Sequence, residues 1–169
     1  MIRFCSDCGT RTELSEVAHR QLDVCPNCTR IFFRNPKVVV TALIEDEGRV
    51  LLVLRDIEPG RGLWGLPGGY VDWDEHPEQA MIRECAEETG VEVVPEGLSE
   101  IQHIINEEGE GIVILHYRAR IVGGELSEGD AEVREVKWFP PESLPPLAFA
   151  THRKVLRAWA NEVARRGVA

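Results

Sequence analysis

Three glutamates, Glu84, Glu87 and Glu88, stand in one short stretch that carries helix signals at both ends. Pro77 suits a first helical position, since its missing N–H would be unpaired there anyway. Gly90 reads as the stop. Asp74, Glu75 and Glu78 put negative charge near the helix start, where the dipole favours it. At about 100° per residue the three glutamates fall within roughly a quarter turn of one another. Met81, Ile82, Cys85 and Ala86 fall on the opposite side, so one flank reads as core and the other as carboxylate. Like charges at this spacing repel by a few tenths of a kcal/mol, roughly, per pair. A hard divalent cation would relieve that repulsion. Magnesium, or manganese in its place, is the natural candidate, because magnesium takes one or two carboxylates together with waters and substrate phosphates. Taken alone, three glutamates are more often a solvated acidic face.

A second constellation is softer. Cys5-x-x-Cys8 and Cys25-x-x-Cys28 are separated by sixteen residues, the spacing of a four-cysteine structural zinc site. The segment between holds few large apolar residues, so bound metal would supply its folding free energy, on the order of 10 kcal/mol. Redox dithiols and disulfides are the competing readings. A closed four-thiolate site has no open position for catalysis. The segment therefore reads as a clip, with a substrate-side wall, a dimer contact or a nucleic-acid finger as alternatives. The fifth cysteine, Cys85, reads as a small buried hydrophobe.

The rest of the chain must position these groups. Residues 37–44 are β-branched and nearly all apolar, a buried strand, and residues 49–55 return as a hairpin partner. A loop rich in breakers leads to Leu63-Trp-Gly-Leu-Pro-Gly-Gly69, where Gly68 and Gly69 let the backbone approach something closely. Beyond the glutamate helix, residues 91–94, 99–106, 112–122 and 135–139 read as strands. Residues 148–166 read as a last helix with Val155, Leu156, Trp159 and Val163 on one stripe. Alternating strands with two long helices imply an α/β fold with a sheet covered on both faces.

Composition narrows the partners. The chain has 169 residues, 29 acidic against 19 basic side chains and a formal net charge of −10. A long nucleic-acid footprint would want the opposite sign. No apolar run is long enough to span a membrane, and the N-terminus lacks a signal-peptide pattern, so the expected location is cytoplasmic.

Gly69, five residues, Glu75, seven residues, Arg83-Glu84, Cys85, Ala86, Glu87-Glu88, Thr89, Gly90, Val91 matches the Nudix box at every defined position. The chain resembles the Nudix hydrolases, which cleave a nucleoside diphosphate linked to a second moiety X. The resemblance implies a Nudix α/β/α sandwich with a mixed sheet over residues 35–169, preceded by a zinc ribbon over residues 1–34. It implies magnesium held by Glu84, Glu87 and Glu88 with the Gly68 carbonyl, and a structural ion pair between Glu75 and Arg83. The base varies within the family. Glu132 is the first candidate here, with Glu108 and Glu135 behind it. Zinc ribbon, Asn35-Pro36-Lys37, Ile57-Glu-Pro59, Glu132-x-x-Glu135 and Leu147-Ala-Phe149 are similar to a subgroup that includes FAD and ADP-ribose pyrophosphatases. NADH pyrophosphatase is the alternative, and a non-catalytic nucleotide sensor is the alternative of another class. Tyr70, Trp73, Phe33 and Tyr117 are available to stack a base, and His103, His116, Arg118 and Arg120 to meet phosphates. A homodimer is expected from the resemblance alone.

Overall fold

The computed structural model describes residues 4–127 and 131–166. The chain divides into two compact units, Met1–Pro36 and Lys37–Ala169.

In the first unit, β1 (Glu13–Val17), β2 (Arg20–Val24) and β3 (Ile31–Phe32) form an antiparallel sheet in that order. Two knuckles of the same design flank it. Gly9 N–H donates to the Cys5 carbonyl and Thr29 N–H to the Cys25 carbonyl, both at 2.9 Å. Gly9 and Thr29 both take positive φ, as a turn this tight requires. The knuckles bring all four Sγ atoms within 4.8 Å of one another. The Cys5–Cys28, Cys8–Cys25 and Cys8–Cys28 separations are 3.6, 3.5 and 3.8 Å. A tetrahedron with zinc–sulfur bonds near 2.3 Å has edges of about 3.8 Å, so this geometry fits a zinc ribbon. Beside the cysteines, Leu22 is the one buried hydrophobic side chain among the described residues of this unit, too little to fold it by burial.

The second unit is built on β4 (Lys37–Asp46), β5 (Arg49–Arg55), β6 (Trp64–Gly65), β7 (Val91–Ile105), β8 (Gly111–Gly124) and β9 (Val133–Phe139). They form a mixed sheet in the order β6-β5-β4-β8-β7, with β9 also paired to β5. The expected hairpin of residues 37–44 with 49–55 is reduced to two residue pairs at the turn, because β4 spends its β-branched stretch in parallel pairing with β8. The strands expected separately at 91–94 and 99–106 are one long strand. Three register shifts absorb Pro95 and Gly97. Proline is tolerated there because the strand lies at the sheet edge.

Two helices cover the two faces. Helix α1 (Pro77–Thr89) starts with Pro77 at N1 and His76 as N-cap, and it ends on Gly90 in the left-handed region. Ala80, Met81 and Cys85 pack on Val40, Ala42 and Ile44 of β4. Helix α2 (Ala150–Arg166) packs Val155, Leu156 and Trp159 on the other face, against Leu43, Val50 and Leu52. Alternate residues of β4 thus feed two cores. The Ala86 side chain, expected in the core, is exposed, and Glu88, expected on the carboxylate flank opposite the core, is only 5% exposed. The helix turns its C-terminal carboxylate inward because a backbone donor waits there.

Candidate active site

That donor belongs to residues 66–69, a strut lying beside β4. Ala42 N–H donates to the Pro67 carbonyl and Val40 N–H to the Gly69 carbonyl, both at 2.9 Å. Strand alternation then turns the groups of Gly68 away from β4. Gly68 N–H donates to Glu88 Oε2 at 2.8 Å. Space requires glycine at 68, and at 69 it leaves room for a carboxylate. A Cβ on Gly68, at φ +147°, would lie 2.1 Å from the Val40 carbonyl oxygen, and one on Gly69 would lie 2.4 Å from Glu84 Oε1. The strut therefore passes directly under two of the three glutamates.

Arg83 organises the others. Its Nε and Nη2 donate to the two carboxylate oxygens of Glu75 at 3.0 and 2.9 Å, a bidentate pair that ties the turn before α1 to the helix. The guanidinium also goes further than that expected pair. Nη1 donates to Glu84 Oε1 at 2.9 Å and to Glu87 Oε2 at 3.0 Å. One cationic nitrogen thus sits within reach of both carboxylates, which shows that they converge. Glu75 is held below the usual carboxylate range by Arg83. Glu84 is held above it, first by burial and then by the charges of Glu87 and Glu132, against the opposing pull of Arg83. Glu132, distant in sequence, is therefore brought into the electrostatic field of the helix cluster. Its side chain is exposed, while its carbonyl accepts from Asp56 N–H at 2.7 Å.

The donor set fits a hard cation. Every group is an oxygen, Glu84 bears repulsion that a cation would relieve, and two carboxylates already share one positive charge. Among the described residues, the cysteine cluster is the one group of three or more His, Cys, Asp or Glu with ligand atoms all within 4.8 Å. The glutamates accordingly form an open face rather than a closed cage, as suits an ion that keeps several waters.

A cavity of about 500 Å³ opens beside the strut on the α2 face of the sheet. Thr41 and Ile114 line it from the sheet, Gly68 from the strut, Phe149 and His152 from the entry to α2, and Glu132 from the rim. Most of its wall is aliphatic or aromatic.

A Nudix domain model matches residues 34–159, three quarters of the chain. The chain belongs to the Nudix family. It is 34% identical over 133 residues to the ADP-ribose pyrophosphatase of Methanocaldococcus jannaschii, covering 76% of this chain and 78% of that protein. It is 30% identical over 149 residues to the NAD-capped RNA hydrolase NudC of Pseudomonas aeruginosa, covering 86% of this chain but only 50% of that relative's length. The crystal structure of a Nudix hydrolase from Nitrosomonas europaea superposes with a TM-score of 0.81 at 30% identity, over 95% of this chain and 92% of that one. The protein is a Nudix hydrolase with a mixed sheet, two covering helices and an N-terminal four-cysteine cluster.

The other residues singled out in the sequence scatter. Tyr70 lines the cavity and Trp73 is 95% exposed, whereas Tyr117 is buried under α1. Phe33 is an exposed side chain of the first unit. Arg118 pairs with Glu162 at 2.6 Å and Arg120 with Glu96 at 3.5 Å, and Glu135 pairs with Lys137. Glu108 and His103 are exposed, the former on the β7–β8 turn. His116 is buried, with Nδ1 2.6 Å from the Thr41 hydroxyl. Desolvation, chiefly, pushes it down to about 4. It is a neutral, fully buried residue held by Thr41 instead of a phosphate ligand. His152 was not singled out in the sequence; the one signal for it is its spacing from the buried stripe of the last helix, three and four residues before Val155 and Leu156 and seven before Trp159.

Proposed function

We propose that the protein hydrolyses the pyrophosphate bond of a nucleoside diphosphate linked to X, with FAD or ADP-ribose as substrate and AMP as one product. One observation carries the reading: Arg83 Nη1 reaches both Glu84 and Glu87, and Gly68 N–H reaches Glu88, so the helix carboxylates gather about a strut whose Gly68 and Gly69 line a largely apolar cavity. At about 500 Å³ the cavity has room for a base or flavin ring against its apolar wall, which would put the diphosphate at the strut. Likeness to an ADP-ribose pyrophosphatase over most of both chains supports the same substrate class.

Glu84, Glu87 and Glu88, with the Gly68 carbonyl, would hold magnesium. Bound there, magnesium polarises the phosphoryl oxygens and lowers the pKa of bound water. Glu132 stands on the cavity rim and takes the proton of the attacking water. Water oxygen bonds to phosphorus, the bridging P–O bond breaks, and the bridging oxygen leaves with one phosphate. Glu75 and Arg83 hold the turn. Zinc at Cys5, Cys8, Cys25 and Cys28 is structural. The acidic surface disfavours nucleic acid, and no helix among the described residues is long and apolar enough to cross a membrane. A homodimer and a cytoplasmic location remain part of the proposal.

A magnesium-dependent panel of FAD, ADP-ribose, NADH, diadenosine polyphosphates and nucleoside triphosphates tests the reading. FAD cleaved to AMP and FMN, or ADP-ribose cleaved to AMP and ribose phosphate, is the expected result. Preference for NADH would favour the second reading, which the likeness to NudC over 86% of this chain keeps open. Binding of these dinucleotides without turnover would establish a sensor instead.

A further inference from the structure

The strut of residues 66–69 is held from three directions. Strand β4 takes the carbonyls of Pro67 and Gly69, and α1 takes the N–H of Gly68 through Glu88. The third hold comes from α2. Leu66 N–H donates to His152 Nδ1 at 3.0 Å, a buried bond between residues 86 positions apart. Gly65 is shaped to the same ring: a Cβ there would lie 3.2 Å from His152 Nδ1 and 3.3 Å from Cε1.

The ring is itself locked. It stands edge-on to Phe149, with centroids 5.0 Å apart, and edge-on to His116, 6.0 Å away. His116 is in turn fixed by the Thr41 hydroxyl of β4. Burial, then the nearby His116, Arg55 and Arg153, push His152 down to about 3, so it stays neutral and Nδ1 stays an acceptor near neutral pH. Accepting at Nδ1 fixes the tautomer with its proton on Nε2. The same ring lines the cavity.

We propose that His152 is a positioning residue, whose Nδ1 fixes Leu66 and thereby aims the backbone of Gly68, two residues on, at the carboxylates of α1. It touches no reacting atom. Because its ring also walls the cavity, an occupant of the cavity and the strut meet on one side chain. The assignment rests on the proposed hydrolase site only in giving Gly68 a part there.

Two substitutions separate the ring's atoms. His152→Asn places an amide oxygen where Nδ1 was, and His152→Gln places its amide near Nε2. A side chain needed only as buried polar filler would treat the two alike. The full-length variants are compared by amide hydrogen exchange at Leu66 and by steady-state kinetics on the substrate the panel selects. Losing a buried acceptor for a backbone donor corresponds to about tenfold to a hundredfold. His152→Asn should keep slow exchange at Leu66 and a kcat within about threefold of wild type, with KM raised by the altered cavity wall. His152→Gln should exchange Leu66 at least about tenfold faster and lose kcat by a similar factor. Equal kcat losses in both variants, or slow Leu66 exchange in His152→Gln, would overturn the assignment. Failure of every panel substrate would overturn the proposed reaction, and the exchange comparison would still decide for or against His152.

Discussion

Gly69→Ala offers a displacement whose size can be read directly. The new Cβ would lie 2.4 Å from Glu84 Oε1, 2.5 Å from Cδ and 2.7 Å from Oε2. Opening the shortest contact to the ordinary 3.4 Å moves the carboxylate by about 1 Å. The obstacle is the end of a flexible side chain, and Gly69 does not take positive φ, so the backbone bears little strain. Stability should therefore change by about 1 kcal/mol or less, roughly 2–4 °C in Tm for a chain of this size. Misplacing a group at a reacting centre by about 1 Å can cost on the order of 100-fold in rate. The expectation is a folded protein with kcat/KM down by about two orders of magnitude at saturating magnesium. Gly68→Ala is the control, since its Cβ would strike the Val40 carbonyl at 2.1 Å from a strained φ, and it should lose the fold instead. The assay pairs a melting curve with turnover of the panel's best substrate. Wild-type turnover in a well-folded Gly69→Ala protein would refute the placement of Glu84 in the site.

Glu88→Gln should abolish most turnover while leaving Tm within a few degrees, because an amide oxygen can still accept from Gly68 N–H; circular dichroism and kinetics on one sample check it. Burial, aided by Glu87 and Glu132, holds the Glu84 carboxyl above its usual range, so the native protein keeps that proton more tightly than the unfolded chain. The associated stability is complete below the unfolded pKa and is lost as pH rises through the native one. Glu84→Gln should therefore flatten the fall in Tm between acid and neutral pH, measured in chelator. Magnesium at a hundred times its Kd should stabilise the wild type by about 2.7 kcal/mol and Glu84→Gln by much less, as thermal shift would report. Cys25→Ser should reduce zinc from one per chain, by metal analysis, and open residues 4–36 to proteolysis, since that unit buries so little else.

Helix α1 was legible because local chemistry marks both its ends: Pro77 and Gly90 do there what isolated residues of those types do. The four cysteines were legible because ligand spacing is a local property. The burial of Glu88 was not, since helical periodicity assigns a side to a residue but cannot know that Gly68 N–H lies on that side. Strand β7 misled for a related reason. Pro95 and Gly97 break local strand propensity, yet pairing with β8 carries the strand past them through bulges. The cavity and the His152 bond depend on contacts between α2, β4 and the strut that have no signature within any one segment.

Arg83 has a consequence for how this acidic helix comes into being. A cluster of carboxylates would resist being drawn together while the chain collapses. Here a guanidinium on the same helix bridges Glu75, Glu84 and Glu87. The compensating charge is thus built into the polypeptide and arrives with the helix, whatever the surrounding electrolyte holds. Any ion that later engages Glu84 and Glu87 must compete with a tethered rival, so its grip reports an exchange of counter-ions rather than simple capture.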